Sequence, residues 1–379
     1  MFVKKPPMGW NSWNTFTHAI NEELIMQTAD IMANEGYLEA GYEYLVIDDC
    51  WSERERDKNG NLVADHEKFP HGMKYVADYV HSKGLKFGMY SCDGILTCAG
   101  YPGSFGHEFE DAKYFAEVGV DYLKYDNCYK VASVPNTTTY QKMALALKAS
   151  GRDIVFSACN WGTEDVHTWA RSRGTDLFRS TGDIFNHFES MQNIADSQKD
   201  KLAFAGPGCY NDVDMLVVGM KPKTDESGAG VQGDGMTEGE QRYHFAWWCM
   251  VGSPLMMGCD LRDVSDEAKK LMLNKNLIRI NQDIECRPPY MAGHKNAWFR
   301  NLSNNEYALG FFNDAEDGGW PPVSYLSFNE IGLTPNCGYG LELTDAFTGE
   351  KVGVFEHDFK VKVPGHDCAM YLAKVVKLS

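Results

Sequence analysis

The strongest constraint is a pattern repeated through the first ~280 residues: a short apolar run ends in polar or acidic residues, and a helix-like stretch follows. Tyr44-Leu45-Val46-Ile47 runs into Asp48-Asp49, Leu85 to Tyr90 ends near Asp93, and Tyr122 to Tyr125 ends in Asp126. Ile154 to Ser157 ends near Asn160, and Leu177 to Arg179 ends near Asp183. Met8-Gly9-Trp10 comes before them, and Leu202-Ala203-Phe204 and Pro254-Leu255-Met256-Met257 come after, which makes eight candidate strands. Between them, Glu22 to Asn34 puts Leu24, Ile25, Ala29, Ile31 and Met32 on one broad apolar face of a helix. Asp111 to Val118, Tyr140 to Ala149 and Asp266 to Leu277 read the same way. Strands alternating with helices imply parallel pairing, because a parallel crossover needs a connection of helical length. Eight such units predict an α/β chain with a (β/α)8 TIM barrel over residues 1–287. A doubly wound open sheet is the rival, but no GxGxxG follows the first strand.

After Pro288-Pro289 the pattern changes. Ala297-Trp298-Phe299, Tyr307 to Phe312, Tyr325 to Phe328, Leu341-Glu342-Leu343 and Phe359 to Val363 read as short strands, with turns at Asp317-Gly318-Gly319 and Thr348-Gly349. No helical period intervenes. Residues 288–379 are therefore expected to form a C-terminal antiparallel β-sandwich domain.

Composition narrows the partners. Hydrophobic residues are 44% and charged residues 23%, as in an ordinary globular chain. Basic residues number 36 against 53 acidic, a net charge of −17, so phosphate backbones and anionic lipid are repelled. Neither nucleic acid nor a membrane is expected as a partner. The longest uncharged run near the middle, Phe245 to Cys259, carries Gly252, Ser253 and Pro254 and is shorter than the ~18–20 residues of a spanning helix. Met1 leads into Gly9-Trp10-Asn11 without a signal-peptide apolar core, so a cytoplasmic location is expected unless a leader has been removed. Eleven cysteines include no CxxC pair, which argues against structural zinc and, in the cytoplasm, for mostly free thiols.

In a barrel the polar residues at strand ends face the active site. Here they are Asp48, Asp49, Asp93, Asp126, Asp183, Asp212 and Asp214. A mouth holding several carboxylates suits either metal binding or glycoside hydrolysis by two carboxyl groups. The metal reading wants histidine at the strand ends, and the histidines, such as His18, His66, His81, His107, His167 and His187, fall mostly in loop or helix-like segments. No metal or other cofactor is expected.

Six motifs stand in order along the chain: Met8-Gly9-Trp10-Asn11-Ser12-Trp13, Asp48-Asp49-Cys50-Trp51, Cys98 to Ser104, Lys124-Tyr125-Asp126-Asn127-Cys128, Arg179 with Asp183, and Asn211 to Leu216. Together they resemble glycoside hydrolase family 27, the α-galactosidases and α-N-acetylgalactosaminidases, from Met8 to about Asp283, and the β-rich tail is similar too. The resemblance implies a retaining exo-glycosidase that removes terminal α-linked galactose through a covalent glycosyl-enzyme. Asp126 would be the nucleophile and Asp183 the acid/base. Lys124, two residues before Asp126 on a strand, shares its face and is expected to hold Asp126 ionised, while Asp183 should occupy a less cationic niche. By the same resemblance, Asp48 and Asp49 accept from the axial 4-hydroxyl and the 6-hydroxyl, and Lys124 reaches the 3- and 4-hydroxyls. Trp13 covers the apolar face of the sugar. Tyr90, Arg179, Asp214 and Met215 match further pocket positions, Arg179 and Asp214 on the 2-hydroxyl side. Cys98 and Cys128 match a pair that is disulfide-bonded in secreted members; in a chain without a leader they could equally be reduced thiols. Cys50 with Cys92 is expected to be a packed pair of thiols.

The chain departs from the family at Cys159-Asn160-Trp161-Gly162, where many α-galactosidases have Cys-Glu-Trp. That Glu faces the 2-hydroxyl, and a smaller residue there admits an acetamido group. Asn160, short and neutral, can still bond a hydroxyl and is read as substrate-binding. The preferred substrate is an oligosaccharide of melibiose or raffinose type. An α-N-acetylgalactosaminidase, a β-L-arabinopyranosidase, a catalytically dead galactose-binding barrel and a metal-dependent hydrolase are the alternatives. Relatives range from monomers to tetramers, so a homo-oligomer stays open.

Overall fold

The computed structural model describes residues 3–224, 229–292, 297–316 and 323–378; the expected turn at Asp317-Gly318-Gly319 lies outside them. Eight parallel strands form one sheet in the order β7-β6-β5-β4-β3-β2-β1-β8. They are β1 (Met8–Asn11), β2 (Tyr44–Val46), β3 (Lys86–Cys92), β4 (Tyr122–Asp126), β5 (Val155–Cys159), β6 (Leu177–Arg179), β7 (Tyr210–Asp212) and β8 (Leu255–Met257). The sheet curls until its edges meet. Leu216, just past β7, bridges Met257, its N–H donating to Met256 O at 2.8 Å while Gly258 N–H donates to Leu216 O at 2.9 Å.

Alternation of side chains sorts each strand into two environments. Tyr44, Val46, Tyr122, Val155, Leu177, Tyr210 and Met256 fill the barrel interior as one cluster. Leu45, Leu123, Tyr125, Phe156 and Phe178 point outward into the larger cluster shared with the helices. On β4 the inward set is Tyr122, Lys124 and Asp126, so the interior changes from apolar to ionic within three positions along the strand.

The helix over Glu22–Asn34 has the expected bounds, and the Asn21 side chain accepts from Leu24 N at its start. Helices at Gly72–Ser82, Glu108–Val118, Asn136–Ala149, Phe188–Asp196 and Glu238–Val251 add to the outer shell. The helix expected over Asp266 to Leu277 is two, Asp266–Met272 and Lys275–Asn281. Asn274 separates them because its side chain accepts from the N–H groups of Asn276 and Leu277, starting a new helix. The seventh strand is corrected as well. Leu202–Phe204 is a single 3-10 turn, with Phe204 exposed, and β7 comes after the Gly-Pro-Gly turn.

The C-terminal part holds β9 (Tyr290–Met291), β10 (Ala297–Asn301), β11 (Glu306–Asn313), β12 (Val323–Ser327), β13 (Tyr339–Asp345), β14 (Lys351–Phe355), β15 (Asp358–Lys362) and β16 (Asp367–Lys377). A six-stranded antiparallel sheet, β14-β13-β16-β11-β10-β9, packs against the two-stranded sheet β12-β15, which makes the expected sandwich. β9, β14 and β16 were not among the expected strands. Among the described residues no helix is long and apolar enough to cross a membrane.

Candidate active site

The C-terminal ends of the barrel strands open into a cleft of about 470 Å3, counted out to bulk solvent. Its lining includes Trp13, Asp48, Asp49, Tyr90, Lys124, Asp126, Arg179, Asp183, Asp214 and Met215, all singled out in the sequence. Cys98, Asn14, Trp161 and Val231 complete it. Trp161 stands inside a segment that the sequence marks, next to Asn160, and Asn14 directly follows the motif that ends at Trp13. Val231 comes from the long segment after β7 and has no local signal.

Asp126, the last residue of β4, is held by two donors. Tyr90 Oη donates to its Oδ2 at 3.0 Å and the Asn127 N–H to its Oδ1 at 2.9 Å. Burial keeps the Tyr90 phenol protonated and therefore a donor. The register sets this contact, since Tyr90 lies beside Lys124 and Cys92 beside Asp126. Lys124 favours the ionised form of Asp126, the direction expected from sequence, but it does not outweigh burial. Burial dominates and pushes Asp126 up to about 6. The reason is visible in the contacts: Lys124 Nζ donates to Asp48 Oδ2 at 2.8 Å, so its charge is shared with a nearer carboxylate. Asp48 also accepts from Asn11 Nδ2 at 2.7 Å. Asp49 accepts from the N–H groups of Cys50 and Ala99, and burial raises its pKa.

Arg179, 3% exposed, ends β6 and gathers the opposite wall. Its Nη2 lies 2.8 Å from Asp183 Oδ1, from Asp214 Oδ2 and from Gly182 O. Asp214 also accepts from Ile184 N–H at 2.7 Å, and burial pushes it up to about 6. Asp183 is the most exposed of these carboxylates. Burial works to raise its pKa, but Arg179 and Lys124 outweigh it and hold Asp183 below the usual range. The less cationic niche expected for Asp183 is thus not what surrounds it.

After β5 the chain does something that the sequence did not signal. Asn160 is fully buried, and its Nδ2 donates to Thr163 O at 3.0 Å instead of reaching the cleft. Trp161, with φ +58, lines the cleft in its place. Gly162 follows at φ +82, and its N–H donates to Arg179 O at 3.0 Å, which seats this loop on the Arg179 wall. A Cβ on Gly162 would stand 2.7 Å from Ser180 O, so glycine is required there.

Cys98 and Cys128 are joined as a disulfide with Cα atoms 5.1 Å apart, and Cys98 Sγ lies 3.8 Å from Asp126 Oδ2. The bond ties the loop after β3 to the loop after β4. Cys50 and Cys92 are separate buried thiols. Asp93 lies outside the cleft; it accepts from Thr139 Oγ1 at 2.6 Å, and burial pushes it up to about 6.

Known proteins share this architecture. Residues 5–283 match the family model of alpha galactosidase A, and residues 292–373 that of the alpha galactosidase C-terminal beta sandwich domain. Alpha-galactosidase 2 of Arabidopsis thaliana is 42% identical over 370 residues, 97% of this chain and 88% of that protein. The crystal structure of alpha-galactosidase I from Mortierella vinacea superposes with a TM-score of 0.89 at 30% identity, covering 100% of this chain and 99% of that one. The Saccharomyces cerevisiae alpha-galactosidase with raffinose gives 0.87 at 28% identity, covering 98% of each chain.

Proposed function

The chain belongs to the alpha-galactosidase (melibiase) family, glycoside hydrolase family 27, and on that footing we propose that it hydrolyses terminal α-linked galactose from oligosaccharides with retention at the anomeric carbon. One observation carries the reading: Asp126 and Asp183 line one cleft together with Lys124, Asp48 and Asp49.

The chemistry follows from charge development. Breaking the glycosidic bond leaves positive charge on the anomeric carbon and negative charge on the departing oxygen. Asp126 attacks the carbon and forms the glycosyl-enzyme, and Asp183 protonates the departing oxygen. Asp183 then takes a proton from water, which cleaves the ester and frees Asp126. Tyr90 and the Asn127 N–H keep the Asp126 carboxylate in one orientation while it waits, which removes a reorganisation cost from the attack. Asp48 and Asp49 supply acceptors for the 4- and 6-hydroxyls. A substrate lacking a matching hydroxyl would leave those buried groups unpaired. Trp13 offers its ring to the apolar face of the pyranose.

Trp161 beside Arg179 favours galactose over N-acetylgalactosamine. An indole in that wall leaves less room for an acetamido group than a small residue would. The test is a side-by-side assay of nitrophenyl α-galactoside and nitrophenyl α-N-acetylgalactosaminide, with EDTA present. Turnover of the first and little of the second supports the reading. Preference for the second, binding without turnover, or loss of activity to EDTA contradicts it.

A further inference from the structure

The loop that carries Trp161 is held in a conformation that its own residues disfavour. Trp161, Glu164 and Asp165 have φ of +58, +52 and +50, so three non-glycine residues sit in the left-handed region within five positions. Strain of this kind persists only where surrounding contacts over-determine it. Those contacts come from the loop that follows the candidate nucleophile. Glu164 Oε2 accepts the N–H of Asn136 at 3.0 Å, and Glu164 Oε1 lies 2.7 Å from Lys130 Nζ. Asn136, fully buried, donates from Nδ2 to Asn127 Oδ1 at 2.7 Å. Asn127 Nδ2 donates back to Thr163 Oγ1 at 3.2 Å, and Thr163 Oγ1 donates to Asn160 O at 2.9 Å. The ring of bonds thus runs from the Trp161 loop, through the buried amide of Asn136, to that of Asn127. The backbone N–H of Asn127 is the one that grips Asp126.

The helix Asn136–Ala149 explains why Glu164 can serve as the anchor. Its N-cap residue is Pro135, which offers no side-chain cap. The orphan N–H of Asn136 needs an acceptor, and the positive end of the helix favours an anion. Glu164 meets both needs from across the loop. The carboxylate is fixed by the helix, and the strained loop is fixed by the carboxylate.

We propose that Glu164 is a positioning residue for the sugar site: through Asn136 and Lys130 it holds Trp161 in the cleft wall and so sets the affinity for the galactosyl ring. The inference rests on the α-galactosidase reading for its ligand, and galactose binding tests it without requiring turnover.

The experiment measures galactose affinity by calorimetry, and KM and kcat on nitrophenyl α-galactoside, in the parent, Glu164→Ala, Glu164→Gln, Trp161→Ala and the double Glu164→Ala/Trp161→Ala variant. Glu164→Ala should weaken galactose binding and raise KM by about tenfold while kcat stays within about threefold. Glu164→Gln keeps an acceptor for Asn136 N–H but loses the one facing Lys130 and the charge at the helix start, so its loss should be smaller than that of Glu164→Ala. Because Glu164 acts through Trp161, the double variant should match Trp161→Ala alone. Thr163→Val cuts the same ring at an exposed residue and should weaken binding in the same direction, which serves if Glu164→Ala does not fold. Unchanged galactose affinity in Glu164→Ala or, if that variant is unfolded, in Thr163→Val overturns the proposal. So do losses that multiply in the double variant. A parent that binds galactose but lacks turnover would sink the hydrolase reading alone.

Discussion

Asp126 and Asp183 are displaced in opposite directions, and the direction of each is the reverse of its role. The attacking group is raised to about 6 by burial, and the proton donor is held low by Arg179 and Lys124. The productive pair needs one proton, on Asp183. Burial disposes Asp126 to hold that proton, and Arg179 and Lys124 dispose Asp183 to give it up. As pH rises through about 6 the pair loses its only proton, and kcat/KM on the nitrophenyl galactoside should fall. Asp183→Asn reverses this limb. With an activated leaving group its residual activity should rise with pH as Asp126 ionises and then level off. Its loss on an unactivated galactoside should be on the order of 10²–10⁴. A pH profile unchanged in shape by Asp183→Asn would contradict the assignment. The carboxylates themselves were legible because strand ends point into a barrel mouth. Their proton affinities were not, because Lys124 is paired to Asp48 from another strand, a partner 76 residues away. Asn160 misled for a related reason: its polarity suggested the cleft, but the left-handed turn at Trp161 commits its Nδ2 to Thr163 O within the loop.

At the scale of elements, seven of the eight barrel strands stand near the apolar runs that the sequence marks. β7 does not, since two of its three residues, Asn211 and Asp212, are polar. Asn211 is buried and bonded to Ser180 and Gln198, so the strand is held by tertiary hydrogen bonds that no local pattern reveals. β16 escaped for the opposite reason. Both of its faces are buried, which leaves a run without alternation. The loops after β3 and β4 meet at Gly94, where a Cβ would stand 1.9 Å from Cys128 O. Backbone cannot yield as a side-chain end can. Gly94→Ala should therefore displace the loop bearing Cys98, lower stability by about 1–3 kcal/mol and reduce kcat/KM more than tenfold. A thermal melt and steady-state kinetics check this; parental values in the Gly94→Ala variant would contradict the close approach.

For the whole molecule, the six-stranded sheet is the part that joins catalysis to scaffold. Cys368, Met370 and Leu372 of β16 belong to the barrel's outer cluster, and Tyr371 and Ala373 to the sandwich core. Ala308 and Phe312 of β11 face the barrel, with Leu309 and Phe311 on the other side. Arg300 of β10, fully buried, donates to Cys249 O, Met250 O and Ile280 O at 3.0–3.1 Å and to Arg287 O at 2.9 Å. It thereby caps the ends of two barrel helices from the C-terminal sheet. The two parts should unfold in one calorimetric transition. Arg300→Leu strands those carbonyls and should cost about 3 kcal/mol or more. Two separated transitions in the parent would contradict this coupling.

The central claim is that Asp126 becomes covalently attached to the sugar. A fluorinated galactosyl fluoride slows breakdown of the glycosyl-enzyme, so the inactivated protein can be digested and its labelled peptide identified by mass spectrometry. The account predicts one galactosyl label, on Asp126. A label on Asp183 or on any other residue, or turnover of the reagent by Asp126→Asn at the parental rate, would contradict it.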